Sequence, residues 1–211
     1  MSILTNFTQR FNLNQIDFSW PRVVSNVLSP PVIWAVLAFP IAFYAADTRS
    51  EALLWALIYD VIVCGVPVLY IAWLVWRGQI TDIHVPVREQ RIRPFLVTLI
   101  CILIALAVLI ALEAPPLLPV FAFFSFVQIS IMLVITLLWK ISMHAMSISG
   151  AVVAVGALFG LIPALLLSPL IPIVAAARVK LRRHTVRQVI AGGLLGALMT
   201  TPLVLVINAQ I

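Results

Sequence analysis

Seven apolar runs separated by short polar stretches fill the chain beyond its first 30 residues. They extend from Pro31 to Ala46, Ala52 to Trp76, Pro94 to Leu112, Leu117 to Trp139, Ala145 to Leu161, Ala164 to Ala177 and Val189 to Val206. Several reach the roughly 20 residues that a helix needs to cross a hydrocarbon core. They are too long and too continuously apolar for alternating barrel strands, and in lipid only a helix or a closed barrel satisfies every backbone group. The pattern predicts an all-α, polytopic integral membrane bundle of about six to seven transmembrane helices.

Residues 1–29 are patterned differently. Phe7, Phe11, Ile16, Phe18 and Trp20 are spaced among Asn, Gln and Ser, and Pro21 breaks the run. This reads as an interfacial N-terminal arm with its aromatic side in the membrane surface, leaving 30–211 as one transmembrane helical domain. The arm lacks the short apolar core and small-residue cleavage site of a signal peptide. Gly156/Gly160 and Gly192/Gly196 are small-residue pairs that let helix backbones approach closely. Asp60 interrupts the second run, where a charge is costly. It reads either as a hydrogen-bonded buried group or as a residue near the far interface.

Composition adds weight to the membrane assignment. The chain is 64% hydrophobic and 9% charged, against about 45–50% and about 25% in a soluble domain. A net charge of +6 would suggest nucleic acid in a soluble protein. Here the cations read as cytoplasmic loop residues and anion ligands, with membrane lipids rather than nucleic acid as partners. Cys64 and Cys101 each lie inside an apolar run and read as small buried hydrophobes.

The cations and histidines gather in three polar islands, Thr81–Pro94, Lys140–His144 and Ala177–Gln188. Each island holds one of the three histidines, His84, His144 and His184. Two apolar runs separate each island from the next, and an even number of crossings returns the chain to the same membrane face. All three islands are therefore expected to share a face and converge on one phosphate-holding site. Of the 13 lysines and arginines, only Arg49 falls on the other face. The positive-inside tendency then puts the islands in the cytoplasm, with the N-terminus inside and the C-terminus outside. That corresponds to a site on the cytoplasmic side of a bacterial or archaeal inner membrane.

Guanidinium forks such as Arg88, Arg91, Arg93 and Arg178 suit phosphate oxygens, and Lys140 adds a point charge. An imidazole serves as nucleophile or general acid near neutral pH. Imidazoles and guanidiniums without a carboxylate cluster suit metal-free phosphoryl transfer, so neither metal nor cofactor is expected.

The islands resemble the motifs of the type 2 phosphatidic acid phosphatase superfamily of membrane lipid phosphatases, in the family's order. Arg93-Pro94 matches the end of its Lys-six residues-Arg-Pro motif. Ser142 and His144 match two positions of its Pro-Ser-Gly-His motif, and Arg178 and His184 match its Ser-Arg-five residues-His-three residues-Asp motif. The resemblance covers roughly Thr81 to Leu205. It implies that His184 attacks phosphorus to form a phosphohistidine, and that His144 protonates the leaving alkoxide and later helps to activate water. It further implies that Arg93 and Arg178 bind the phosphoryl oxygens while Ser142 adds a hydrogen bond. The implied substrate is a lipid phosphate or an isoprenoid (di)phosphate whose tail stays in lipid through a lateral opening.

Four positions depart from the family pattern. Pro86 stands at its lysine, Met143 at its glycine, Ala177 at its serine and Gln188 at its aspartate. Arg88, Arg91 or Lys140 is a candidate replacement for the lysine. Gln188 can fix the His184 tautomer without stabilising an imidazolium as a carboxylate does, and Asp82 or Glu89 is a candidate replacement acid. The alternatives are a non-catalytic phosphatase-like membrane protein that binds or transports an anionic lipid, and an intramembrane prenyltransferase. The latter class holds magnesium on paired aspartate-rich motifs, whereas the seven acidic residues here are scattered.

Overall fold

The computed structural model describes residues 18–208, with side chains described as far as Pro202. The arm's residues Phe7, Phe11 and Ile16 lie outside the described part. All described secondary structure is helical: α1 (Trp20–Val27), α2 (Pro30–Ala45), α3 (Arg49–Tyr59), a π-turn (Asp60–Gly65), α4 (Val66–Trp76), a 3-10 turn (Glu89–Arg91), α5 (Ile92–Ala111), α6 (Leu117–Leu138), α7 (Met143–Phe159), α8 (Leu161–Leu167), α9 (Leu170–Lys180) and α10 (Val186–Asn208). Each apolar run of the sequence falls on one of these helices or on a helix pair.

Four of the described helical stretches are long and apolar enough to cross a membrane: Arg49–Trp76, Glu89–Ala111, Leu117–Leu138 and Leu161–Lys180. The pair α1 and α2, bent by 47°, makes a fifth if it counts as one span, and α7 is apolar but shorter. The outer surface suits lipid, with Leu69 70%, Leu138 83% and Leu166 75% exposed. The main core lies inside the bundle, where Ile41, Ala56, Ala105, Leu109, Ala122 and Ala154 are almost wholly buried. This is an all-α membrane protein.

Local chemistry sets the breaks. Pro30 and Pro31 open α2 at positions whose N–H groups have no helical acceptor. The Thr48 hydroxyl accepts from the Glu51 amide at 3.3 Å and caps α3. Pro67 lacks an N–H and crowds the carbonyl four residues back, Val63, which lies within the π-turn. That turn widens the second span in the stretch that carries Asp60 and Cys64.

Helices α7 and α10 pack along much of their length, and two glycines make this possible. A Cβ on Gly192 would run into the Ser142 carbonyl, and one on Gly196 into that of Met146. The two residues are four apart on α10, as are their neighbours on α7, so the contact repeats once per turn. The Ser142 amide donates to the Gln188 carbonyl at 3.1 Å and ties the start of α7 to the first turn of α10. This joint holds the second and third islands together.

Candidate functional site

The three islands meet. His84, His144 and His184 all line one cavity of about 760 Å³, together with Arg91. Its remaining wall is mostly apolar, from α2, the π-turn, α4 and α5. Val32, Val61, Val68 and Ile83 line the cavity and are exposed, so it is an open groove flanked by apolar side chains. Asp60 and Cys64 line it from the π-turn. The buried Oδ1 of Asp60 has no hydrogen-bond partner among the described residues.

The third island presents His184, 6% exposed, just before α10. Thr185 and Gln188 form a reciprocal cap on that helix: the Gln188 amide donates to the Thr185 hydroxyl at 3.4 Å, and the Thr185 amide donates to Gln188 Oε1 at 3.1 Å. Because a backbone N–H can only donate, the amide oxygen of Gln188 is fixed at that position. The same oxygen lies 3.2 Å from His184 Nδ1. Nδ1 therefore carries the hydrogen and Nε2 the lone pair. Burial and the nearby Arg91, Arg178 and Lys140 push His184 down to about 3, so the ring is neutral at physiological pH.

The second island supplies His144, 5% exposed, whose Nε2 lies 3.1 Å from the Ser25 carbonyl of α1. A carbonyl only accepts, so Nε2 carries the hydrogen here. The fully buried Ser142 caps α7, its Oγ accepting from the Ala145 amide at 3.3 Å. The Lys140 ammonium donates to the Arg183 carbonyl at 2.9 Å. Burial, with Arg91, Arg178 and Arg183 nearby, pushes Lys140 down to about 8.

The cations divide by environment. Arg178 on α9 is 2% exposed, and its Nε has no hydrogen-bond partner among the described residues. Arg91, 5% exposed, donates from Nε to the Val85 carbonyl at 2.9 Å and from Nη1 to that of Ile141 at 3.2 Å. Arg88 instead caps the end of α6, donating to the carbonyls of Leu137 at 3.2 Å and Leu138 at 2.9 Å, and it pairs with exposed Glu89. Arg93 is exposed and donates to Gln79 Oε1 at 3.4 Å, away from the cavity. In the first island it is Arg91, not the proline-adjacent Arg93, that reaches the cavity.

That island also holds a second grouping, in which Asp82 joins His84 to Arg183 of the third island. Asp82 Oδ1 lies 3.2 Å from His84 Nδ1 and accepts from the His84 amide at 2.9 Å, while Oδ2 accepts from Arg183 at 2.6 Å. The His84 hydrogen bonds, with the Arg183 charge, hold the Asp82 carboxyl below the usual carboxylate range. The His84 ring stacks on His144, centroids 5.8 Å apart at 25°. Val85 follows with φ at +43°, an outlier for a β-branched residue. It is held there by its amide, which donates to the Asp82 carbonyl, and by its side chain, buried against Leu74 and Ile80. The one-per-island distribution of histidines was the signal for His84. Neither Asp82 nor Glu89 pairs with His184.

The cluster therefore carries Arg91, Arg178, Lys140 and Arg183 against the carboxylate of Asp82, mostly out of water. Such a balance calls for an anion. Among the described residues, no three metal-ligating side chains lie grouped around one point. No family model matches the chain, and neither a curated protein nor a solved structure does.

Proposed function

We propose that the chain is a membrane lipid phosphatase, a divergent relative of the type 2 phosphatidic acid phosphatases, that hydrolyses a lipid phosphate or polyprenyl (di)phosphate without metal. The observation that carries this reading is the meeting of three imidazoles and buried Arg91 at one largely apolar cavity, with buried Arg178 just behind the wall, within electrostatic reach of His144 and His184. A phosphate neutralises the cations, and its tail lies along the groove toward lipid. The bare Nε2 of His184 attacks phosphorus, and the resulting phosphohistidine is hydrolysed by water. Arg178, whose Nε awaits an acceptor, and Arg91 hold the phosphoryl oxygens as charge builds on them. The stacked pair of His84 and His144 faces the leaving oxygen. In this reading all seven apolar runs cross the bilayer, α7 and α10 as a packed pair, and the site opens on the cytoplasmic face.

The test is phosphate release from a panel of lipid phosphates in detergent, with EDTA present. Release that survives EDTA and is lost in His184→Ala supports the phosphatase. The exchange of a carboxylate for Gln188 favours a second reading, a non-catalytic protein that binds or transports an anionic lipid. Lipid phosphate binding without release would establish that reading instead.

A further inference from the structure

Hydrolysis of an alkyl phosphate needs a proton delivered to the leaving oxygen, because a bare alkoxide is a poor leaving group. Two imidazoles lie near enough to supply it, and the structure separates them. His144 spends its Nε2 hydrogen on the Ser25 carbonyl. To act as an acid it would have to take a second proton in a buried position, within electrostatic reach of Arg178 and with no carboxylate bonded to it. His84 is placed differently. Its Nδ1 donates to the ionised Asp82 at 3.2 Å, which fixes the ring and leaves Nε2 as the nitrogen from which a proton is given. The histidine ring is 11% exposed at its side chain and lines the cavity between Ile83 and Val85. This is where the polar end meets the apolar groove. The bridging oxygen of a lipid phosphate, which joins phosphate to chain, belongs at that junction.

We infer that His84, oriented by Asp82, is the general acid that protonates the leaving alkoxide. Asp82 is in turn a positioning residue, held by the Arg183 guanidinium. The inference rests on the phosphatase reading and assigns one further role within that site. In the first step the P–N bond to His184 Nε2 forms, the P–O bond to the lipid breaks, and the proton on His84 Nε2 passes to the lipid oxygen to give the alcohol. In the second step neutral His84 takes a proton from water, whose oxygen attacks phosphorus. The P–N bond breaks, phosphate leaves, and His184 regains its lone pair. Every proton and electron pair is returned.

The experiment uses the full chain in detergent with two probes of matched chain length, dodecyl phosphate and 4-dodecylphenyl phosphate. They differ in the basicity of the leaving oxygen, since a phenolate departs with far less need of a proton. Loss of a general acid slows a reaction by about 10²–10⁴-fold, and the loss falls on the more basic leaving group. His84→Gln is expected to lower the ratio of alkyl to aryl turnover by roughly 30-fold or more. Asp82→Asn is expected to lower the same ratio less. An equal loss on both probes in His84→Gln, or an unchanged ratio in Asp82→Asn, overturns the assignment. If the unaltered protein releases phosphate from neither probe, the phosphatase reading fails first and takes this role with it.

Discussion

Gln188 Oε1 lies 3.2 Å from His184 Nδ1 while also accepting from the Thr185 amide at 3.1 Å. One oxygen thus closes the first turn of α10 and sets which nitrogen of the catalytic candidate is bare. A carboxylate at this position would do both and would also attract a proton onto the ring. The glutamine keeps the orientation and gives up the charge.

Gln188→Glu should therefore preserve the cap and raise His184 from about 3, because a carboxylate favours the imidazolium. A histidine NMR titration would register an upward shift of one unit or more, on the order seen for adjacent opposite charges. Gln188→Leu should lose both functions. Unfolding would become easier by about 1 kcal/mol from the lost cap, and phosphate release would fall by much more than that loss accounts for.

Arg178→Met separates binding from stability. Removing a guanidinium whose Nε has no partner should leave the unfolding midpoint unchanged or higher, since buried charges are often replaced by apolar groups without cost. Affinity for a lipid phosphate should drop by roughly 30-fold or more, as for truncation of one side of a buried charge pair. Thermal unfolding and equilibrium binding measured on the same preparation would check both halves.

Anion affinity should carry the signature of Lys140. Its cationic neighbours and burial hold it near 8, so it is largely protonated at pH 7 and largely neutral at pH 9. A bound anion favours the protonated form. Affinity is therefore full near pH 7 and falls as pH rises through 8, with proton uptake on binding in that window. A phosphate monoester is already a dianion there, since its second pKa is about 6, so calorimetry in two buffers would report the protein's proton. Lys140→Met should flatten the profile.

Two glycines on one helix should answer oppositely. Gly196→Ala places a methyl against the Met146 carbonyl and should destabilise by about 1–3 kcal/mol, the range for overpacking. Gly193→Ala meets nothing within 4 Å and should stabilise by about 0.4–1 kcal/mol. Thermal unfolding of the two variants in one detergent would show the sign change.

Much of the architecture was legible because the bilayer enforces it. Apolar runs had to be helices, and the one-per-island spacing of His84, His144 and His184 pointed to the cavity that all three line. The finer points depended on phase and on local partners. Arg91 and Arg93 lie two residues apart, on different sides of a helix, and which one points inward depends on where the 3-10 turn hands over to α5. Hydropathy says nothing about that. Ser142 and Arg88 looked like ligands, yet both serve helix ends whose unpaired groups are invisible until the ends are placed. The Asp82–His84 pair was hidden by a left-handed Val85, a conformation that sequence propensity argues against.

The joint between Gly192, Gly196 and α7 also dates the site within synthesis. The ribosome delivers the chain from its N-terminus, so His84 and His144 reach the membrane long before α10 exists. Until that helix docks, the cations of the first two islands have no His184 beside them and no Gln188 carbonyl to anchor Ser142. A chain arrested after α9 would hold two of the three histidines, and the docking of α10 is the step that brings the third to the cavity.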